Sequence, residues 1–174
     1  GSLFADFRLA KGLNLHTDLG LDMIVQNEER WWGPRTLVGL ATPDQTGEAS
    51  SYWFRNTRII TNNYVSYANT FAEKHKLDAV AGLAFENLTI NDGFANGQDF
   101  PDAALRTVAS TVTPSAVDGN MSENNLYSLF GRLNYGYDGK YLIGASLRND
   151  ADSRFGTNFK EGTFWAVSLG WVLS

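Results

Sequence analysis

Cysteine is absent from the 174 residues, so no disulfide framework and no thiolate metal site can form. Histidine occurs twice, as His16 and His75, and neither has a ligand partner at metal-binding spacing. No apolar run approaches the ~18 residues that a transmembrane helix needs. Positive charge is sparse and scattered: 14 Lys and Arg stand against 19 Asp and Glu, a net charge of −5. That argues against a nucleic-acid surface. A Gly-rich phosphate loop, a Ser-His-Asp set and a close carboxylate pair are all missing from the pattern, so neither an enzyme nor a cofactor is expected. Asp150-Ala151-Asp152 hints at a calcium loop, but Arg154 stands where a further oxygen ligand would be needed.

Aromatic residues are plentiful: five Trp, seven Tyr and eleven Phe. The mean hydropathy of −0.25 has a soluble look. It does not exclude a membrane β-barrel, whose polar lumen face and loops dilute the apolar signal.

The strongest pattern lies between Leu129 and Trp171. Leu129, Gly131, Leu133 and Tyr135, then Tyr141, Ile143, Ala145 and Leu147, fall on every second position. A period of two means a strand with two different faces. Tyr137-Asp138-Gly139 fits a three-residue hairpin loop with Gly139 at a positive φ. It would pair Tyr135 with Tyr141, Leu133 with Ile143 and Leu129 with Leu147.

The same alternation predicts strands over Leu3–Leu9, Leu13–Gln26, Tyr52–Phe71 and Leu77–Asn87, and a last strand over Thr163–Leu173. Phe71 is expected opposite Leu77. Short connections at Ala10-Gly12, Ala72-Lys76 and Tyr137-Gly139 alternate with long ones at Asn27-Ser51, Leu88-Glu123 and Asn149-Gly162. Phe100–Arg106 reads as one or two turns of helix, with Pro101 near the start. In an up-and-down sheet all the short turns share one end, as in outer-membrane barrels. Phe7, Tyr67, Phe71, Tyr135, Tyr141 and Trp171 gather near those turns as an interfacial girdle. The expected fold is all-β: an antiparallel up-and-down meander of about seven long strands, part of a large transmembrane β-barrel. The other reading of the pattern is a soluble sheet with aromatic cross-strand pairs.

Several runs resemble the barrel of TonB-dependent outer-membrane transporters of the SusC/RagA branch. They are Gly131-Arg132-Leu133-Asn134-Tyr135, Lys140-Tyr141-Leu142, Arg148-Asn149-Asp150, Ser153-Arg154-Phe155-Gly156 and Val167-Ser168-Leu169-Gly170-Trp171. Asn149, Ala151 and Trp165-Ala166 depart from the family pattern. The resemblance implies a location in the bacterial outer membrane, in contact with membrane lipid. It implies import of oligosaccharides or peptides, with TonB and a SusD-like surface lipoprotein as partners. It also makes residues 1–174 a mid-barrel fragment, without plug or TonB-contacting segment. Gly1-Ser2, by itself, reads as a cloning remnant. A soluble all-β carbohydrate-binding module is the second hypothesis. It requires the alternating apolar face to be buried.

Candidate ligand contacts are few. Trp31, Trp32 and Trp53 offer faces that suit a pyranose ring, although loop packing is the plainer role for them. Arg132 and Arg148 are expected on the polar, lumen-facing side.

Overall fold

The computed structural model describes residues 1–42, 44–102, 104–154 and 161–173. Seven strands form a single sheet in sequence order: β1 (Ser2–Ala10), β2 (Leu13–Trp32), β3 (Glu48–Phe71), β4 (His75–Gln98), β5 (Thr113–Tyr137), β6 (Tyr141–Asp152) and β7 (Glu161–Trp171). A four-residue helix, α1 (Leu37–Leu40), follows β2, and one 3-10 turn (Val108–Ser110) precedes β5. The up-and-down meander expected from the alternation is the architecture found. Phe155-Gly156 of the family-like run lies outside the described residues.

The chain divides into two compact units. The first comprises residues 1–22, 58–88 and 124–174, and the second residues 23–57 and 89–123.

In the first unit the odd-numbered positions carry the apolar face. Leu3, Phe7, Leu19, Val65, Leu83, Leu129, Leu133, Ile143, Leu147, Val167 and Leu169 are all exposed, Leu169 by 79%. Each such side chain left in water forgoes ~1.5–3 kcal/mol relative to burial. A face of this size therefore needs an apolar environment outside the chain. The soluble-module reading requires the same face to be buried, and it is not.

The opposite face is polar and cross-linked by side chains. Asp18 accepts from the Asn62 backbone N–H at 3.1 Å and from its Nδ2 at 3.0 Å. Arg58 grips Glu86 through two parallel bonds of 2.9 and 2.8 Å. His16 lies between Phe4 and Tyr64, with ring centroids 6.2 and 4.7 Å away. Its Nδ1 is 2.7 Å from Asp6 and its Nε2 3.4 Å from Asp18.

The β5–β6 turn corrects the expected register. The ladder closes at Tyr137↔Tyr141, so Tyr135 faces Ile143, Leu133 faces Ala145 and Gly131 faces Leu147. The loop is Asp138-Gly139-Lys140. Both Asp138 (φ 54°) and Gly139 (φ 64°) are left-handed, and the Lys140 N–H closes the turn on the Tyr137 carbonyl at 3.0 Å. The slip of two residues preserves the faces because the side-chain period is two. At β1–β2 Leu3 stands opposite Leu19 and Phe7 opposite Leu15; a bulge between Arg8 and Ala10 brings Ala10 opposite Leu13, so the connection is Lys11-Gly12 rather than Ala10-Gly12. The β3–β4 turn is Ala72-Glu73-Lys74, and β4 starts at His75 rather than Leu77.

The aromatic girdle is present, with Tyr137 added to it. Tyr141 stacks on Tyr137 and on Trp171, both at 6.4 Å, and Tyr67 meets Phe71 at 6.5 Å. The Tyr135 hydroxyl hydrogen-bonds His75 Nδ1 at 2.6 Å, which gives that histidine a structural role.

In the second unit the strands are longer than alternation indicates. β2 continues to Trp32, β4 to Gln98, and β5 begins at Thr113, so the connections shrink to residues 33–47 and 99–112. Among the described residues of the expected Phe100–Arg106 helix none is helical. The Asp102 carboxylate accepts the Ala104 N–H at 2.7 Å and its carbonyl accepts the Leu105 N–H at 3.1 Å, which makes a turn instead. Ala49 and Phe100 are the buried apolar residues, beside Thr42 and Asp99. Asp99 accepts from the Asp44 N–H at 3.1 Å and from Thr46 Oγ1 at 3.3 Å, and so ties the two connections together.

Candidate functional site

Among the described residues no cluster of His, Asp and Glu has the arrangement of a metal site, and no helix is long and apolar enough to cross a membrane. The second observation says nothing about crossing by strands. Asp152 shows why the calcium-like run is something else. Arg154 donates to its carboxylate from Nη2 at 2.6 Å, from Nε at 3.0 Å and from the backbone N at 2.8 Å. These bonds hold the Asp152 carboxyl below the usual carboxylate range. The pair lies beyond the apolar run of β6, which ends at Leu147.

The five candidate contacts separate into different settings. Arg148 is used structurally: its Nε donates to Asp150 at 2.7 Å and its Nη2 to the buried Ser128 hydroxyl at 2.9 Å. Arg132 stands opposite Ser146 and borders a shallow concavity of about 230 Å³ with Asn134, Gly144 and Ser168. Trp31 carries the Arg106 guanidinium 4.8 Å from its ring centroid and covers Gly33. Its Nε1 is buried without a hydrogen-bond partner among the described residues. Trp53 lies against Gly93, where a Cβ would run into the indole. Both of these tryptophans pack the second unit.

Trp32 is different. Adjacent strand residues point to opposite faces, so it is separated from Trp31. It borders a cavity of about 460 Å³ in the second unit. Three strands build the walls: β2 gives Glu28, Arg30 and Trp32, β3 gives Glu48, Ser50, Ser51 and Tyr52, and β4 gives Phe94 and Asn96. Alternation explains the set apart from Ser51, since 28, 30 and 32, then 48, 50 and 52, then 94 and 96 each step by two. Arg30 pairs with Glu28, and Gln98 Nε2 donates to Glu48 at 3.3 Å. The cavity thus joins aromatic faces to carboxylate, hydroxyl and amide groups, a combination that binds small polar molecules. Of the residues around this cavity, sequence reasoning singled out Trp32 and did not single out Tyr52, Glu28, Glu48, Phe94 or Asn96. The step-of-two spacing was available, but the segments holding Glu28, Glu48, Phe94 and Asn96 read as loop, so the faces were not traced through them, and Tyr52 stood at the very start of a predicted strand.

No family model matches the chain. Single relatives do. It is 32% identical over 174 residues to the TonB-dependent receptor SusC of Bacteroides thetaiotaomicron, covering 96% of this chain and 16% of that protein. It is 29% identical over 176 residues to a TonB-dependent receptor of Formosa agariphila, covering 98% of this chain and 16% of the relative. Among solved structures, the RagAB peptide transporter superposes with a TM-score of 0.84 at 27% identity, over 94% of this chain and 18% of that chain. The chain therefore spans about a sixth of the length of the relatives it matches.

Proposed function

We propose, from the premise that this chain is a length of outer-membrane barrel wall related to the TonB-dependent receptors of the SusC/RagA type, that the intact protein imports oligosaccharides or peptides across the outer membrane. Residues 1–174 are taken as a mid-barrel segment of that protein. The observation that carries the reading is the two-sided wall of the first unit. Its odd-numbered residues present an exposed apolar face, while its even-numbered residues form a hydrogen-bonded polar one. That is the division between lipid and a water-filled lumen. The kinship with SusC and the likeness to a peptide transporter support import.

In this reading the wall carries no chemistry of its own. TonB supplies the energy, and a SusD-like surface lipoprotein helps capture cargo. The test is uptake of labelled oligosaccharides and peptides by cells carrying the intact protein, with and without a functional TonB. Accumulation that depends on both supports the importer. Outer-membrane insertion with no TonB-dependent accumulation of either class would overturn it.

A further inference from the structure

We infer that the cavity formed by Trp32, Tyr52, Phe94, Glu28, Glu48 and Asn96 is a subsite for a neutral sugar residue, an inference that rests on the importer reading and selects between its two cargo classes. Three observations meet there. The first is shape: about 460 Å³ lies within the ~300–1,000 Å³ range of small-molecule sites. The second is the aromatic walls. Trp32, Tyr52 and Phe94 come from three neighbouring strands and border one hollow. Flat aromatic faces suit the C–H side of a pyranose and add stacking contact at low entropic cost.

The third is the polar complement. Ser50 and Asn96 can both donate and accept, as sugar hydroxyls do. The carboxylates are held rather than loose, since Glu28 pairs with Arg30 and Glu48 accepts from Gln98. Each keeps lone pairs for a further hydroxyl donor. Arg30 neutralises Glu28 and leaves Glu48 as a single uncompensated carboxylate, so a cationic peptide side chain would gain one ion pair and meet one like charge at Arg30. A peptide carboxylate would meet Glu28 and Glu48 at close range, which desolvation makes costly. An uncharged, hydroxyl-rich ring fits all of these groups.

The test uses the intact receptor in detergent. A panel of neutral oligosaccharides (α- and β-linked glucans, xylans and mannans) and a panel of short peptides are titrated by calorimetry. At least one oligosaccharide is expected to bind. Trp32→Ala and Tyr52→Ala should each weaken it tenfold or more, Glu48→Gln should weaken it several-fold, and Trp32→Phe should retain most of the affinity. Heat-modifiable migration on gels reports whether each variant is folded, and Glu48→Gln serves where an aromatic truncation disturbs the barrel. Oligosaccharide binding that is indifferent to all of these variants overturns the subsite and leaves the importer standing. Binding of peptides alone, or of neither panel, also overturns it. TonB-dependent uptake, measured separately, shows whether the importer reading falls as well.

Discussion

At the scale of the residue, Gly93 and Trp53 share one space: the Trp53 ring fills the room over Gly93, with the Asp118 carbonyl 2.9 Å from where a Cβ would sit. We expect Gly93→Ala to destabilise the folded protein by ~1–3 kcal/mol, the usual range for overpacking. Trp53→Ala should partly relieve that loss in the double variant while leaving cargo affinity unchanged. Thermal unfolding of the four proteins of this cycle checks the coupling. Additive losses would show that the two residues do not share the space.

Asp152 has a defined pH behaviour. Its carboxyl is held below the usual range, first by the side-chain bonds from Arg154 and then by the backbone bond. A depressed acid stabilises the fold above its unfolded value, and the contribution disappears as pH falls through the folded value. Local stability around this turn should therefore be constant from pH 7 to about 5 and fall only below ~4. Hydrogen exchange at Ser153, whose N–H bonds the Asn125 carbonyl at 2.9 Å, is the readout. Asp152→Asn should remove the pH dependence. A transition near neutrality would contradict this origin.

At the scale of the strand, face decides the cost of a charge. Ala145 and Ser146 are neighbours on β6, opposite Leu133 and Arg132 on β5. Ala145 shares the parity of the exposed apolar set, so Ala145→Arg should cost ~2–4 kcal/mol in a bilayer. Ser146→Asp, placed opposite Arg132, should change stability by less than ~1 kcal/mol. Refolding equilibria of the intact protein into lipid vesicles measure both. Equal costs would mean that the faces have been assigned wrongly.

Strands were legible where their alternation was apolar, and their ends were not. The paired faces of β5, β6 and β7 follow from Leu129, Leu133, Ile143, Val167 and Leu169, since a two-residue slip in the turn leaves parity untouched. The pattern does not distinguish an Asp138-Gly139-Lys140 loop from one a residue earlier, because both put Gly139 at a positive φ. The extensions Leu88–Gln98 and Thr113–Glu123 are rich in Asn, Asp, Gly and Ser, which composition assigns to loops, and Asn27–Trp32 opens on the charged run Glu28-Glu29-Arg30, which shows no apolar alternation. Pairing with neighbouring strands overrides that local preference, as tertiary context commonly does in sheets. The cavity around Trp32 was hidden for the same reason.

For the whole molecule the exposed face sets the solution behaviour. β1 and β7 are the outer strands of the described sheet, and Leu3, Trp165 and Leu169 are among their most exposed residues. Such edges and faces associate in water. The 174-residue chain should be heterogeneous and large by size-exclusion chromatography with light scattering in buffer, and should become uniform only with detergent. A monodisperse monomer in plain buffer would mean that the face is covered within the chain, against the assignment of lipid as its environment.

The alternation in the first unit has a consequence for how such a wall changes over generations. Each strand carries two interleaved texts, one at odd positions and one at even. The odd text asks only for greasiness, so Leu, Ile, Val and Phe are near-synonyms there. The even text is spelled in specific partners, such as Asp18 with Asn62 or Arg58 with Glu86. Drift can rewrite the first at almost every letter while the second is held. The second can be edited in its turn, pair by pair, without disturbing the wall's place in the bilayer.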